Sequence, residues 1–409
     1  MKTVCIAGTF DTKEKDLLFV KDIFETLGLN VFTINTGVFP SDFPVDITNG
    51  EVVAEVGENI EEIAAKHDRA YATKILSQAM KKIVPRLYEE GKFDGIISFG
   101  GTGGASIVTP GMRALPIGVP KVMVSTIASG DTSFYIGTSD LIMIPSVVDI
   151  AGLNQISTQI YTTAAHAITG MLNYESEAYV SDKPLIAASM FGLTTPAVNF
   201  AKDYLESKGY EVLVFHATGT GGKTMEALVN NGYFSGVLDL TTTEWCDELF
   251  GGVLNAGPHR LEAASLNKVP QVVSLGALDM VNFSAYETVP QHYHGRNFYK
   301  HNPSVTLMRT TVEENKLLGE KIAEKLNLAT ENTVLMIPKK GLSGIDVEGE
   351  PFYGPEENRM LFETIKANLH NDIVEIIEMD TIINNQEFAE VAAQKLIDMI
   401  EKKLRKGRF

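Results

Sequence analysis

The feature that most constrains this chain is an alternation. Short apolar runs rich in β-branched residues are separated by longer stretches of helical periodicity. The runs are Val4–Ala7, Val31–Asn35, Gly95–Phe99, Lys121–Ser125 and Leu141–Pro145. After Lys183 follow Leu185–Met190, Glu211–Ala217, Gly236–Leu240, Gln271–Leu275, Val305–Arg309, Val334–Pro338 and Ile373–Met379. Helical patterns lie between most of them, at Glu14–Leu27, Ile60–Tyr88, Thr195–Lys208, Thr224–Asn231, Val312–Leu326 and Glu356–Leu369. A strand that is apolar along its whole length must be buried on both faces. Strands of that kind joined through helices predict an α/β fold with mainly parallel, doubly wound sheets.

The alternation breaks once. The segment "NYESEAYVSDKP", Asn173–Pro184, is polar, carries three acids and ends in proline, and the strand–helix pattern restarts after it. We therefore expect two domains, residues 1–180 and 181–409. With 44% hydrophobic and 21% charged residues, each half has enough apolar material for a core. The formal net charge of -17 argues against nucleic acid or an anionic membrane as partner. The basic tail "EKKLRKGRF" reads as the end of a helix, where cations interact favourably with the dipole. Two distant cysteines, Cys5 and Cys246, offer no disulfide framework. "MKTVCIAGTF" reads as a first strand rather than a leader, so a cytoplasmic protein is expected. The segment Ala151–Tyr174 has no Asp, Glu, Lys or Arg. It reads as a helix that is either a dimer contact or buried within the chain.

Gly-Thr-Gly-Gly occurs twice, in "SFGGTGGAS" and in "FHATGTGGKT", each time after a strand and before a helix. Glycines let the backbone approach a ligand, and the unpaired N–H groups opening the helix aim at an anion. Both copies are therefore candidate anion loops, and the alternative is a tight turn that only packs a helix on its sheet. In the second copy, Gly222, Lys223 and Thr224 match the end of a phosphate-binding P-loop. The position of its first glycine holds Ala217, which argues against that motif even though Asp239 would offer a carboxylate for Mg²⁺. In the first half, "AGTFDTKEKD" brings hydroxyls and an ammonium to the mouth of the sheet through Thr9, Asp11, Thr12 and Lys13. Asp11 would cap the following helix or hold Mg²⁺. The loops Ser125–Ser133 and Pro145–Asn154 converge on the same edge if the sheet is parallel, and Arg69 is the nearest cationic candidate.

The second half has a different inventory. "QHYHGRNFYKHNP" places His292, His294 and His301 beside Arg296 and Lys300. A polar loop packed on aromatic side chains is the preferred reading, and no metal site is assigned. Asp239, Asp279 and Asp346 fall where strands end, and with His301 they are the candidate catalytic groups. His216, Gly219, Thr220, Gly221, Gly222, Arg296 and Asn302 are the candidate contacts for a second, anionic ligand in a cleft facing the first domain.

Longer stretches carry a resemblance. "GTFDTK", "GGTGGASIVTPGMRALPIGVPKVMVST", "GTSDLIMIPSVVDIAGLN", "HATGTGGKTME", "GRNFYKHNPSVTLMRTT" and "IPKKGLSGIDVEGEPFYGPEENRMLF" resemble an uncharacterised bacterial and plant family of ATP-binding proteins. That family includes the N-terminal part of a tomato protein that blocks tomato mosaic virus replication. The resemblance implies two Rossmann-like domains, a homodimer, and ATP on the first domain, and Mg²⁺ is the metal expected if one accompanies it. Motif by motif it assigns Gly8, Thr9, Asp11, Thr12 and Lys13 to the nucleotide. It adds Gly100, Gly101, Thr102, Gly103 and Gly104, with Ser125 and Thr126. The expectation is an ATP-dependent enzyme acting on a small polar or anionic metabolite held between the domains. The alternatives are a nucleotide-binding homodimer without turnover, or a sugar or acid isomerase or hydrolase regulated by ATP.

Overall fold

The computed structural model describes residues 1–174 and 181–406. Residues 175–180, the middle of the polar break, and the last residues of the basic tail lie outside the described residues. The chain divides into two compact units, residues 1–179 and 180–409. Each is a Rossmann-like α/β domain.

In the first domain, β1 (Thr3–Gly8), β2 (Asn30–Asn35), β3 (Gly95–Gly100), β4 (Lys121–Ser125) and β5 (Ile142–Pro145) form one sheet. All pairings are parallel and the order is β2-β1-β3-β4-β5. Successive β1 side chains serve opposite faces, as the two-residue period requires. Val4 and Ile6 join a core with Leu17, Val20 and Phe24 of the Phe10–Thr26 helix and with Tyr161, Ala165 and Ile168 of the Gln155–Asn173 helix. Cys5 and Ala7 face the opposite core, built on the Arg69–Glu89 and Thr102–Arg113 helices. The uncharged segment is thus a helix with one face packed within its own domain, opened by an Asn154–Ser157 capping box.

One expected helix is two. The pattern Ile60–Tyr88 reads as continuous, but the structure stops at Ala65 and restarts at Arg69. His67 takes a left-handed φ of 49°, and the Asp68 carboxylate accepts the Tyr71 N–H at 3.0 Å as an N-cap. The break places Arg69 at the opening of the long helix.

In the second domain, β6 (Leu185–Met190), β7 (Glu211–His216), β8 (Gly236–Thr241) and β9 (Gln271–Gly276) come first. The short strands β10 (Met280–Phe283), β11 (Phe298–Asn302) and β12 (Val305–Arg309) follow, then β13 (Thr333–Pro338) and β14 (Val374–Met379). The six-stranded sheet is parallel throughout, in the order β14-β13-β9-β8-β6-β7. The strand expected over Val305–Arg309 exists but does not belong to it. It is the centre of a three-stranded antiparallel sheet, β10-β12-β11. Val281, Phe283 and Met308 seal that small sheet onto the core beneath β9 and β13. Its partner strands are short, and β11 is mostly exposed, so neither shows the apolar run that marks a buried parallel strand.

Candidate functional site

In the first sheet, β1 lies between β2 and β3, so the chain winds outward in both directions from the β1/β3 gap. Ligands of doubly wound sheets bind at such a switch point, beyond the carboxyl ends of the strands. A cavity of about 740 Å³ opens there, inside the usual range of about 300–1,000 Å³ for small-molecule sites. Thr9, Asp11, Thr12 and Lys13 line it from the end of β1, and Gly101, Thr102, Gly103 and Gly104 from the end of β3. Thr126 and Asp149 approach from the ends of β4 and β5, and Arg69 from the opening of its helix.

The local chemistry is that of an anion site with an apolar extension. The Thr102–Arg113 helix is opened by Gly101, and no side chain caps it. A Cβ on Gly103 would lie 3.1 Å from Arg69 Nη2, so the guanidinium sits over the glycine turn. Lys13 leaves helical geometry, at φ -126° and ψ 23°, and its ammonium donates to the Ile150 carbonyl. Asp11 accepts the Phe39 N–H at 3.1 Å and packs on Gly37, where a Cβ would overlap its carboxylate. Val38, Phe39, Ile63, Ala72, Leu76 and Ile107 line the apolar part. The Thr36 hydroxyl, fully buried in a residue that lines the cavity, has no hydrogen-bond partner among the described residues.

Three of the residues assigned from the resemblance lie beneath the cavity rather than on it. The Gly8 carbonyl accepts the Thr36 N–H at 2.8 Å, Gly100 packs against Gly104, and the Ser125 hydroxyl accepts the Ile127 N–H at 3.3 Å. Sequence reasoning missed the loop after β2. The signal was present: "NTGVF" supplies a threonine and a glycine at a strand end, and that strand neighbours β1 in any such sheet.

The second Gly-Thr-Gly-Gly is built otherwise, and here the expected free anion loop is corrected. Gly219 and Gly222 donate their N–H groups to Glu244 Oε1 at 2.7 and 3.1 Å. The position reserved for a ligand's anion is held by the protein's own carboxylate. Glu244 Oε2 in turn accepts Arg260 Nε at 2.7 Å, and Arg260 forks onto Asp239 at 2.5 and 2.7 Å. Glu226 completes the set at 3.2 Å, its pKa raised chiefly by burial. Arg260 is 1% exposed, and its own pKa stands well above the ordinary value because the three carboxylates outweigh desolvation. Asp239 is therefore a structural ion-pair partner and not a strand-end catalyst or a Mg²⁺ ligand. Gly221 is required for packing, since a Cβ there would overlap the carbonyl oxygen of His216. Thr220 and Lys223 are exposed beside it.

The remaining candidates of this domain divide between buried, hydrogen-bonded side chains and exposed ones. Asp279 is buried, with Ser343 Oγ donating to it at 2.8 Å, and burial followed by repulsion from Asp346 raises its pKa. Asp346 is also buried. It accepts from the Leu342 N–H at 2.9 Å, Asn358 Nδ2 at 2.7 Å and Arg309 Nη2 at 3.3 Å. Arg296 is clamped by Glu314 at 3.1 and 2.7 Å. His301 and Asn302 stand exposed on β11, and Asn302 accepts from Ser304 in its own turn. His216 is exposed at the end of β7, against Phe191. His292 packs on Tyr293 and His294 stacks on Tyr286.

Residues 2–177 match the model of the "Uncharacterised protein family (UPF0261) N-terminal domain", and residues 183–400 match that of its C-terminal domain. The chain belongs to the UPF0261 family. A UPF0261 protein of Clostridium tetani is 54% identical over 402 residues, covering 98% of this chain and all of that one. The ToMV resistance protein Tm-1(GCR237) of Solanum lycopersicum is 42% identical over 340 residues, which is 82% of this chain but 45% of the tomato protein. Among solved structures, a UDP-N-acetylglucosamine 2-epimerase from Rickettsia bellii gives a weak likeness. Its identity is 13% over 66% of this chain and 78% of that one, with a TM-score of 0.25. No helix among the described residues is long and apolar enough to cross a membrane.

Proposed function

We propose that the first domain binds ATP in the cavity over β1 and β3, and that the protein is an ATP-dependent enzyme acting on a small polar or anionic metabolite. The observation that carries the reading is the convergence of two unlike surfaces in one cavity. An uncapped helix N-terminus, Lys13 and Arg69 form a cationic end suited to phosphates. The apolar walls around Ile63, Leu76 and Ile107 suit a base. Phosphoryl transfer requires mainly positioning and charge neutralisation, which these groups supply. The reading includes a cytoplasmic location and a homodimer, the latter tested directly by sedimentation of the full chain.

Calorimetric titration of the full chain with ATP and Mg²⁺ is expected to show one site per chain. Arg69→Ala should weaken it by about tenfold, the loss of one charge-assisted contact. Absence of any ATP binding by the wild type refutes the reading. Binding without turnover, in the presence of candidate acceptors, retains the site and removes the enzyme.

A further inference from the structure

The cavity runs along the whole carboxyl edge of the first sheet, from Thr36 after β2 to Asp149 after β5. Five strands at the usual spacing span roughly 19 Å. Most of the apolar lining belongs to the β2 side, through Val38, Phe39 and the helices between β2 and β3, and Ile107 adds to it from the helix after β3. The glycine turn and Lys13 occupy the middle, and Thr126 and Asp149 the far side. A nucleotide lying with its base at the apolar end would direct its terminal phosphates towards the end of β5.

Among the described residues three carboxylates line this cavity, and they are not equivalent. Asp68 caps its helix through Oδ1 and sits in the crossover between β2 and β3, not at the β5 end of the cavity. Asp11 is held by the Phe39 N–H and by the Thr12 hydroxyl. Asp149 is exposed; its Oδ1 accepts only the neighbouring Ile150 N–H at 2.8 Å, and Oδ2 has no partner among the described residues. The loop that presents it is strained. Val147 has φ 63°, a left-handed conformation unfavourable for a β-branched residue. The Val148 N–H to Ser146 carbonyl bond at 2.6 Å and the Ser146 hydroxyl on the Val148 carbonyl at 2.7 Å hold the turn. The same loop offers the Ile150 carbonyl to Lys13, which brings the cation and Asp149 to adjacent residues.

Mg²⁺ takes one or two protein carboxylates together with substrate phosphates and water, rather than an all-protein cage. Resting on the nucleotide reading above, we infer that Asp149 is the carboxylate through which the protein holds Mg²⁺ against the terminal phosphates. Asp11 is a positioning residue that ties the β2 loop to the β1 loop. Lys13 leaves the Ile150 carbonyl for the phosphates when the nucleotide enters.

The test is calorimetric titration of the full chain with ATP, once with Mg²⁺ and once with a chelator. It uses the wild type, Asp149→Asn, Asp149→Ser and Asp11→Asn. The asparagine keeps the acceptor for the Ile150 N–H, and thermal unfolding without nucleotide checks each variant. Wild type should bind ATP at least about tenfold more tightly with Mg²⁺, and both Asp149 variants should lose that difference. Their affinity for metal-free ATP should stay the same or rise, because a negative charge beside the phosphates has gone. A wild type indifferent to Mg²⁺ overturns the inference, and so does a full Mg²⁺ effect in the Asp149 variants. Its loss in Asp11→Asn alone moves the role to Asp11. If the wild type binds no ATP under either condition, the nucleotide reading itself has failed.

Discussion

The two Gly-Thr-Gly-Gly turns share a sequence and a strand–turn–helix setting, yet the first follows the central strand β3 and faces a cavity, while the second follows the edge strand β7 and faces its own protein. After β3, the helix N-terminus has no side-chain cap and opens onto about 740 Å³ of space beside Lys13 and Arg69. After β7, the same four residues deliver two N–H groups to Glu244, itself locked to a buried Arg260. A helix N-terminus attracts an anion whatever its source. In the second domain an internal carboxylate fills that role, and the glycines serve close packing. A glycine motif therefore reports the need for an anion and for close approach, and it does not report whether the anion is a ligand.

That contrast can be broken in three places. Arg260→Leu should have the largest effect, since it leaves Asp239 and Glu244 buried without their cation. A loss of about 3–5 kcal/mol is expected in denaturant unfolding of the second domain. A change under about 1 kcal/mol would show that the pairing contributes little net stability. Next comes Gly221→Ala, whose Cβ meets backbone at His216 that cannot move aside. Destabilisation should lie towards the top of the roughly 1–3 kcal/mol range for overpacking. The smallest effect on folding belongs to Gly103→Ala. Its Cβ meets only the mobile end of Arg69, so stability should change by no more than about 0.5 kcal/mol. ATP affinity measured on that variant should nevertheless fall about tenfold, or about 1.4 kcal/mol. If the two alanine variants exchange phenotypes, the assignment of the loops is reversed.

The central parallel strands were legible because complete burial leaves an unbroken apolar run, as in "VCIA" of β1 or "GIISF" of β3. β10 and β11 were not, being short, and β11 largely exposed, so that their pairing with β12 depends on contacts distant in sequence. The cavity residues after β1 and β3 were legible as polar, glycine-bearing loops at strand ends. The β2 loop joins them only because β2 is the neighbour of β1 in space. Arg69 was a candidate by charge alone. The left-handed His67 and the Asp68 cap are what set it at a helix start over Gly103.

Periodicity and composition by themselves determined the α/β class, most of the parallel strands and the polar break between two similar halves. These follow from local burial patterns, which each segment carries in its own residues. Tertiary structure alone decided which glycine turn stays open. Arg260 and Glu244 lie tens of residues from the turn they close, and a buried charge network forms only when the fold brings its members to hydrogen-bonding distance.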